Sequence, residues 1–341
     1  MDPLEFVYYL GYSLKKSRDL KNRKRLPRRV ISVGNLTLGG TGKTPAVIAV
    51  AGEAIKRGFR PCILTRGYGG RAKGPCFVSK GDGPLIDVEE AGDEASLMAK
   101  RLRGVPIVKC GDRYEGGIFA LQHLKSEIPD SKSGFLFVLD DGFQHWKLHR
   151  DKDVLLIDGI DPFGNRKLFP SGVLREPLYE MKRADVIALT KVSPGPAALI
   201  GTSALMDEIR RYNADSPIYC SWHAPVGLRT LSDSELPIGT LSGKGVLLFC
   251  GIANPSSFRE SLVRTGADVK GLMAYRDHHK YDAGDFRRIL EAAKRARADW
   301  IVTTEKDIIK ISNLGPPENL LALRIEFRVE ESFYETIFSE E

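Results

Sequence analysis

The stretch that most constrains this chain is Val30–Thr44, VISVGNLTLGGTGKT. Its first residues are β-branched and predict a short buried strand, its glycines predict a tight turn, and a helical pattern follows. Pro45 suits the first turn of that helix, because its missing N–H costs nothing there. A strand, a glycine turn and a helix N-terminus in this order direct backbone N–H groups and the positive end of a helix at an anion.

The same stretch matches the phosphate-binding pattern G-x-x-x-x-G-K-[ST], except that Thr37 stands where the first glycine is usual. We expect Lys43 to reach the β- and γ-phosphates of a nucleotide and the Thr44 hydroxyl to bind Mg²⁺. The alternative is a glycine-rich turn with an exposed lysine. The predicted phosphate-binding residues are Thr37, Gly39, Gly40, Thr41, Gly42, Lys43 and Thr44.

Composition limits the class of protein. The 341 residues suggest two domains or one large one, and 42% hydrophobic with 28% charged residues is ordinary for a globular protein. No apolar run is long enough to span a membrane, and no secretory signal is recognisable. Five scattered cysteines, without a C-x-x-C pair, argue against a disulfide framework or a zinc site and favour a reducing compartment.

The N-terminus carries much of the net charge of +7. The apolar, aromatic segment Leu4–Leu14 precedes nine Lys or Arg residues between Lys15 and Arg29. Such a segment can lie in the interface of an anionic membrane. Two other interpretations stay open: a core helix with a solvated basic tail, and a nucleic-acid patch, although no nucleic-acid module accompanies it.

Polar residues follow several predicted strands. Arg66 follows the strand in RPCILT, and Asp140 and Asp141 end the apolar run that begins at Phe135. In open α/β sheets that edge lines the ligand crevice, and an aspartate ending such a strand holds Mg²⁺ in phosphate-loop enzymes. His145 follows closely; acidic neighbours favour a functional role about as much as a structural one.

Three further groups can be read in two ways. Asp93 and Glu94 open a predicted helix, where they act either as N-terminal acids or in catalysis. Arg175 and Glu176, in a loop bounded by Gly and Pro, indicate ligand contact or a surface ion pair. His278, beside Asp277, is either an oriented base or part of an exposed polar loop.

The alternation of strands and helices predicts an α/β protein with two parallel-sheet domains. We predict an N-terminal membrane-surface helix and basic segment over 1–29, a nucleotide-binding domain over 30–222, and a smaller α/β domain, with linker strands, over 223–341. The stretch 217–243 is predicted to hold several short strands.

Several motifs now stand in order along the chain. They are VGNLTLGGTGKTP, TRGYGG, AGDE, DDGFQH with LHRDKDVLLID, GVLREPL, GIANPSSF, DHHKY and TEKD. This set, which extends from about residue 28 to 310, resembles the tetraacyldisaccharide 4′-kinase (lipid A 4′-kinase) family. DDGFQH and GVLREP are specific to it, and that family also lacks an ideal first glycine in its phosphate loop.

The resemblance implies a P-loop kinase-like parallel sheet flanked by helices. It also implies transfer of the ATP γ-phosphoryl group, with magnesium, to the 4′-hydroxyl of tetraacyldisaccharide 1-phosphate. The expected location is peripheral, at the cytoplasmic face of the bacterial inner membrane, on an anionic surface. We expect a monomer that binds no nucleic acid.

The resemblance also suggests roles for individual residues. Asp93 matches the family's GDE motif and is the expected base for the sugar hydroxyl, supported by His278 from the D-H pair. Since the two are far apart in sequence, we expect them to approach in the nucleotide-bound form. Thr44 and Asp140 would hold Mg²⁺, with Asp141 as an alternative ligand. The expected active-site or substrate residues are Glu94, His145, Arg175, Glu176 and Arg66.

The competing hypothesis is a nucleotide-switch or assembly factor on the same phosphate-loop scaffold, with no lipid substrate. A GTP-dependent switch would need a base-reading aspartate, which the sequence lacks, and would have no use for an apolar, basic N-terminus.

Overall fold

The computed structural model describes residues 2–125, 134–192 and 195–339. The chain divides into two compact units. The first unit comprises Met1–Ala91, Met98–His223 and Phe327–Glu341, and the second comprises Gly92–Leu97 and Ala224–Glu326. The short segment Gly92–Leu97 therefore groups with residues that lie far beyond it in sequence.

The regular elements alternate along most of the chain. The strands are β1 (Arg29–Asn35), β2 (Arg60–Thr65), β3 (Cys76–Ser79), β4 (Ile107–Lys109), β5 (Phe135–Asp140), β6 (Lys152–Asp158), β7 (Val186–Thr190), β8 (Ile218–Arg229), β9 (Glu235–Leu236), β10 (Gly245–Cys250), β11 (Asp268–Ala274), β12 (Trp300–Thr304) and β13 (Leu320–Val329). The α-helices are α1 (Pro3–Lys21), α2 (Lys43–Lys56), α3 (Val88–Ala91), α4 (Asp93–Arg101), α5 (Arg113–His123), α6 (Pro196–Arg210), α7 (Pro255–Val263), α8 (Ala283–Arg295), α9 (Glu305–Ile311) and α10 (Glu331–Phe338).

The sheet of the first unit has the strand order β7-β6-β1-β5-β2-β4-β3. The pairs are parallel except for β3, which runs antiparallel to β4. Strand β1 lies between β5 and β6, so its carboxyl end is central. Parallel strands end at one edge of their sheet, and the polar residues that follow β1, β2 and β5 are brought to that edge.

Both faces of this sheet are buried, which explains the continuous apolar run of β5. Phe137 and Leu139 pack with Ala120 of α5 in one cluster. On the other face, Leu155 and Ile187 pack with Phe143, which follows β5.

Helix α1 begins with a capping box. The Asp2 carboxylate accepts from the Glu5 N–H, and the Glu5 carboxylate accepts from the Asp2 N–H. One face of the helix packs on the first unit, where the Tyr8 hydroxyl donates to the Arg175 carbonyl at 2.8 Å. The other face exposes apolar side chains, among them Leu4 at 65% and Leu14 at 73% exposure. Within the described ranges, no helix is both long and apolar enough to cross a membrane.

Part of the basic segment serves the fold. Lys16 pairs with the buried Glu180, and Arg25 pairs with Asp151 at 2.7 Å. Arg29 donates to three carbonyls at the end of α10. The segment is therefore more than a solvated tail.

The second unit has its own parallel sheet, in the order β11-β10-β12-β13. The side chains of strand β10 show how both faces of this sheet are covered. Val246 and Leu248 join the cluster that includes Leu262 of α7, whereas Leu247 and Phe249 join the cluster of α8. This alternation follows from the two-residue period of a strand.

The structure differs from the sequence-based prediction in one stretch and agrees with it at the start of α4. The stretch 217–243 holds one strand of 12 residues, β8, and the very short β9, rather than several short strands. The helix predicted to open at Asp93 and Glu94 is α4, and Gly92, with φ of +94°, separates it from α3, which ends at Ala91. A left-handed glycine cannot continue a helix, so Asp93 starts a new one.

Candidate active site

The glycine turn after β1 has the backbone conformation that the sequence indicates. Gly39 has φ of +108° and Gly42 has φ of +82°, both in the left-handed region that favours glycine. Helix α2 begins at Lys43, directly after Gly42. A Cβ atom on Gly42 would lie 2.4 Å from Nε2 of His223, so the imidazole ring fills the space beside this residue.

Lys43 lies at the centre of a polar cluster. Its ammonium group donates to Asn35 Oδ1 at 3.0 Å and lies 3.7 Å from Asp141 Oδ1. Arg175 donates to the same Asp141 oxygen at 2.7 Å. Burial opposes ionisation of Asp141, but Lys43 and Arg175 outweigh it and lower the pKa of Asp141 to about 2. Asp141 is therefore ionised at neutral pH.

Asp140 has different partners. Its carboxylate is buried at the end of β5 and accepts from the Thr65 hydroxyl at 2.8 Å. Thr44, the second residue of α2, is also buried. Carboxylate and hydroxyl oxygens suit Mg²⁺, which normally takes one or two carboxylates and completes its coordination with phosphates and water. No larger cluster of possible metal ligands occurs among the described residues, and this mode of binding needs none.

The loop that carries Arg175 braces the phosphate loop. The Leu38 N–H donates to the Val173 carbonyl at 2.7 Å, and the Arg175 N–H donates to the Leu36 carbonyl at 2.8 Å. Thr37, in place of the usual glycine, is buried and forms a β-bridge with Leu174. A side chain is tolerated at position 37 because the backbone there is extended against a neighbouring segment.

Glu176 lies in a buried network. Its carboxylate accepts from Gln144 at 2.6 Å and from Arg183 at 2.7 Å, and Arg183 also pairs with Glu180 at 2.8 Å. Burial raises the pKa of Glu176 to about 7 against the opposing effect of Arg183. Gln144 also donates to the Asn35 carbonyl at 2.9 Å, which connects this network to the end of β1.

His145 and Arg66 have their own partners in the first unit. His145 Nε2 accepts from the Arg113 N–H at 3.4 Å, at the start of α5. Burial and the nearby Arg113 charge lower the pKa of His145 to about 3, so the ring is neutral and can accept. Arg66 lines a cavity of about 390 Å³ with Lys109 and the glycines that follow β2.

Asp93 and His278 are in contact within the second unit. His278 Nδ1 lies 3.1 Å from Asp93 Oδ2. His278 has φ of +58°, an uncommon conformation for this residue type, which is fixed by hydrogen bonds from its N–H to the Gly251 carbonyl and to Asp277. The contact with Asp93 raises the pKa of His278. Burial works against the Asp93 carboxylate, but His278 and Lys310 lower its pKa overall.

Glu94 and His279 have separate partners. Glu94 Oε1 accepts from Lys306 at 2.7 Å and lies 3.5 Å from His278 Nε2. Burial disfavours the Glu94 carboxylate, yet Lys306 lowers its pKa overall. His279 instead pairs with Asp285 at 2.7 Å and stacks on Tyr275. The two adjacent histidines are therefore not equivalent, and only His278 meets Asp93.

A family model described as "LpxK: Tetraacyldisaccharide-1-P 4'-kinase" matches residues 1–340. The chain belongs to this family. Among curated relatives named tetraacyldisaccharide 4'-kinase, that of Syntrophus aciditrophicus is 38% identical, covering 98% of this chain and 90% of the relative. That of Halothermothrix orenii is 37% identical, covering 91% and 82%.

A solved LpxK also resembles the chain in three dimensions. The crystal structure of "apo" form LpxK from Aquifex aeolicus in complex with ATP matches with a TM-score of 0.74 at 33% identity, covering 99% of this chain and 98% of that one. The predicted family, α/β fold and kinase class are confirmed, and the nucleotide-switch alternative is not favoured.

Sequence reasoning missed several partners in these clusters. They are Asn35, Thr65, Arg113, Gln144, Arg183, His223, Lys306 and Lys310. Asn35, Thr65, Gln144 and Lys306 lie inside motifs that were recognised as wholes, so a residue-by-residue reading of those motifs could have identified them. The others have no local signal.

Proposed function

We propose that this chain transfers the γ-phosphoryl group of ATP, with Mg²⁺, to the 4′-hydroxyl of tetraacyldisaccharide 1-phosphate. The main support is the cluster of Lys43, Asp141 and Arg175 at a left-handed glycine turn. The kinase family model also matches nearly the whole length of the chain. Phosphoryl transfer depends mainly on positioning and charge neutralisation, and this cluster supplies two cations and backbone N–H groups for that purpose.

In this proposal, Lys43 and the backbone of residues 39–44 bind the phosphates. Thr44 and Asp140 would hold Mg²⁺, which supplies charge neutralisation when bound. We favour Asp140 over Asp141 as the ligand, because Asp141 Oδ1 already faces two cations, Arg175 and Lys43. Asp141 instead orients Lys43 and Arg175.

Asp93 is the proposed base that removes the proton from the sugar hydroxyl, and His278 orients and stabilises its carboxylate. Both contacts that join Asp93 to basic side chains fall on Oδ2, which favours Oδ1 as the atom that takes the proton. Positioned bases of this kind contribute about 10²- to 10⁴-fold to rate. Glu94, His145, Glu176 and Arg66 remain proposed substrate or active-site residues, the last through the cavity that it lines.

The proposal includes a location. The exposed apolar face of α1 beside a basic segment supports peripheral binding to an anionic membrane. We place the protein, as a monomer, at the cytoplasmic face of the bacterial inner membrane, where its substrate's acyl chains would be held.

The experiment is transfer of ³²P from labelled ATP to tetraacyldisaccharide 1-phosphate in detergent micelles, with Lys43→Ala and Asp93→Ala alongside. We expect labelled lipid from the wild type and a loss of at least about 100-fold in each variant. Hydrolysis of ATP or GTP with no labelled lipid would refute the proposed reaction.

A further inference from the structure

Lys310 is a buried lysine of the second unit, and the proposed reaction described above assigns it no role. Its ammonium group lies 3.3 Å from Asp93 Oδ2, 2.9 Å from Asp307 Oδ1 and 3.2 Å from the His279 carbonyl, and its side chain is only 8% exposed. A buried ammonium group is costly unless it is paired, and here three oxygens surround it.

Asp307 explains how Lys310 is held. The Asp307 side chain is fully buried, and its Oδ2 accepts from the Gly251 N–H at 3.0 Å and from the Thr304 hydroxyl at 2.7 Å. Thr304 is the N-cap of α9, and Asp307 and Lys310 lie one turn apart on that helix. The helix therefore presents both charges from a rigid element.

The same pair reaches both members of the Asp93–His278 contact. Lys310 binds Asp93 directly. Asp307 binds the Gly251 N–H, and the carbonyl of Gly251 accepts from the His278 N–H at 3.1 Å. The left-handed backbone of His278 is thus fixed from the Asp307 side, and the carboxylate that its ring meets is fixed from the Lys310 side.

We propose that Lys310, anchored by Asp307, is a positioning residue that keeps Asp93 ionised and aligned with His278 during phosphoryl transfer. This inference rests on the proposed function, since it concerns the base of that reaction. The pair does not touch substrate; it acts through Asp93 and through the backbone of His278.

Other charged groups act on the same carboxylate and must be considered in any pH experiment. The titratable groups of the second unit near the Asp93–His278 contact include, besides Lys310 and Asp307, Glu94, Asp277, Tyr281 and Lys306. Lys306 pairs with Glu94 at 2.7 Å, whereas Lys310 contacts Asp93 directly.

The test is Lys310→Met, followed by the pH profile of kcat/KM for the lipid and by ¹³C NMR titration of the Asp93 carboxyl group in the full-length protein. An opposite charge at this distance lowers a carboxyl pKa by about 1–3 units. Removing the Lys310 charge should therefore move the acid limb of the kcat/KM profile to higher pH by about one unit or more. The carboxyl titration should move in the same direction, and Lys310→Arg should restore both.

Two further variants separate positioning from folding. Lys310→Met leaves Asp307 buried without its cation, so Lys310→Met/Asp307→Asn keeps an oxygen for the Gly251 N–H while removing both charges. Lys294→Met, at an exposed position on α8, is the matched lysine control and should leave the acid limb and the Asp93 titration unchanged.

A folded Lys310→Met protein with an unmoved Asp93 titration and an unmoved acid limb would overturn the inference. Equal loss of kcat/KM at every pH, in proportion to lost thermal stability, would do the same, because a purely structural lysine gives that result. If the wild type labels no lipid, the proposed function fails, whereas the carboxyl titration still reports whether Lys310 controls Asp93.

Discussion

Gly42 is the residue at which the phosphate loop depends most directly on a missing side chain. Its φ of +82° is unfavourable for any L-residue with a Cβ atom, and His223 occupies the space where that atom would lie. Burial, reinforced by Lys191, lowers the pKa of His223 to about 4, so the ring packs there as a neutral group. Both conditions apply to Gly42, so the loop conformation depends on how His223, the last residue of the Met98–His223 segment, is packed.

Gly42→Ala should therefore destabilise the protein and weaken ATP binding. The left-handed conformation alone costs about 1–2 kcal/mol with a Cβ present, and displacement of His223 adds to it. Gly52→Ala is the matched control, because Gly52 lies inside α2 and a Cβ there meets nothing within 4 Å. That change should be neutral or stabilising by about 0.5–1 kcal/mol. Thermal unfolding and ATP titration would show this contrast, and equal effects of the two changes would contradict it.

Glu176 gives a prediction for pH-dependent stability. Its folded-state pKa of about 7 is above the ordinary 4.5, so the folded protein binds this proton more tightly than the unfolded chain does. The resulting stabilisation is fully present below pH 4.5 and is lost as pH rises through 7. Glu176→Gln keeps a neutral partner for Gln144 and should flatten the decline in unfolding free energy between pH 5 and about 7. Denaturant unfolding across this range would measure it; an unchanged slope would place the titration on another group.

At the scale of elements, α1 has two faces with different partners. One face is fastened by polar contacts: Tyr8 binds the Arg175 carbonyl, and Lys16 pairs with Glu180. The other face exposes Leu4, Val7 and Leu14 at 65%, 66% and 73%. Because Arg175 also binds Asp141, the helix that we propose to contact the membrane is attached to a loop of the proposed phosphate-binding cluster.

The exposed face should carry membrane affinity. Burying each of these side chains contributes about 1.5–3 kcal/mol at most, so changing Leu4, Val7 and Leu14 to Ser should reduce binding to anionic lipid vesicles by at least about tenfold. Vesicle co-sedimentation is the measurement. Ile200→Ser removes a comparably exposed apolar side chain, at 77%, from α6 and should have no effect. Undiminished binding by the triple variant would remove α1 as the contact surface.

Local sequence patterns were sufficient to predict much of the fold. The glycine turn, the apolar run of β5 and the order of strands and helices are each set by neighbouring residues, and the structure has them where the sequence indicates. The contacts of the candidate site are different in kind. Lys310 with Asp93 and Arg175 with Asp141 join residues distant in sequence, and only the tertiary fold decides which basic side chain meets which carboxylate. Sequence separation also suggested that Asp93 and His278 belong to different domains, whereas both lie in the second unit.

At the scale of the whole molecule, membership of Gly92–Leu97 in the second unit bears on how this kinase could be recombined with a relative. The second unit is not one continuous stretch of the gene. A hybrid that exchanged only residues 224–326 would bring a foreign lysine, aspartate and histidine to the native Asp93 and Glu94, and its proposed acid–base pair would come from two parents. An exchange that keeps Asp93 and Glu94 with their own partners needs two additional crossovers. These would transfer the six codons of Gly92–Leu97, which lie some 130 codons upstream. The same constraint applies in evolution: a substitution in either segment must remain compatible with the residues of the other segment that it contacts.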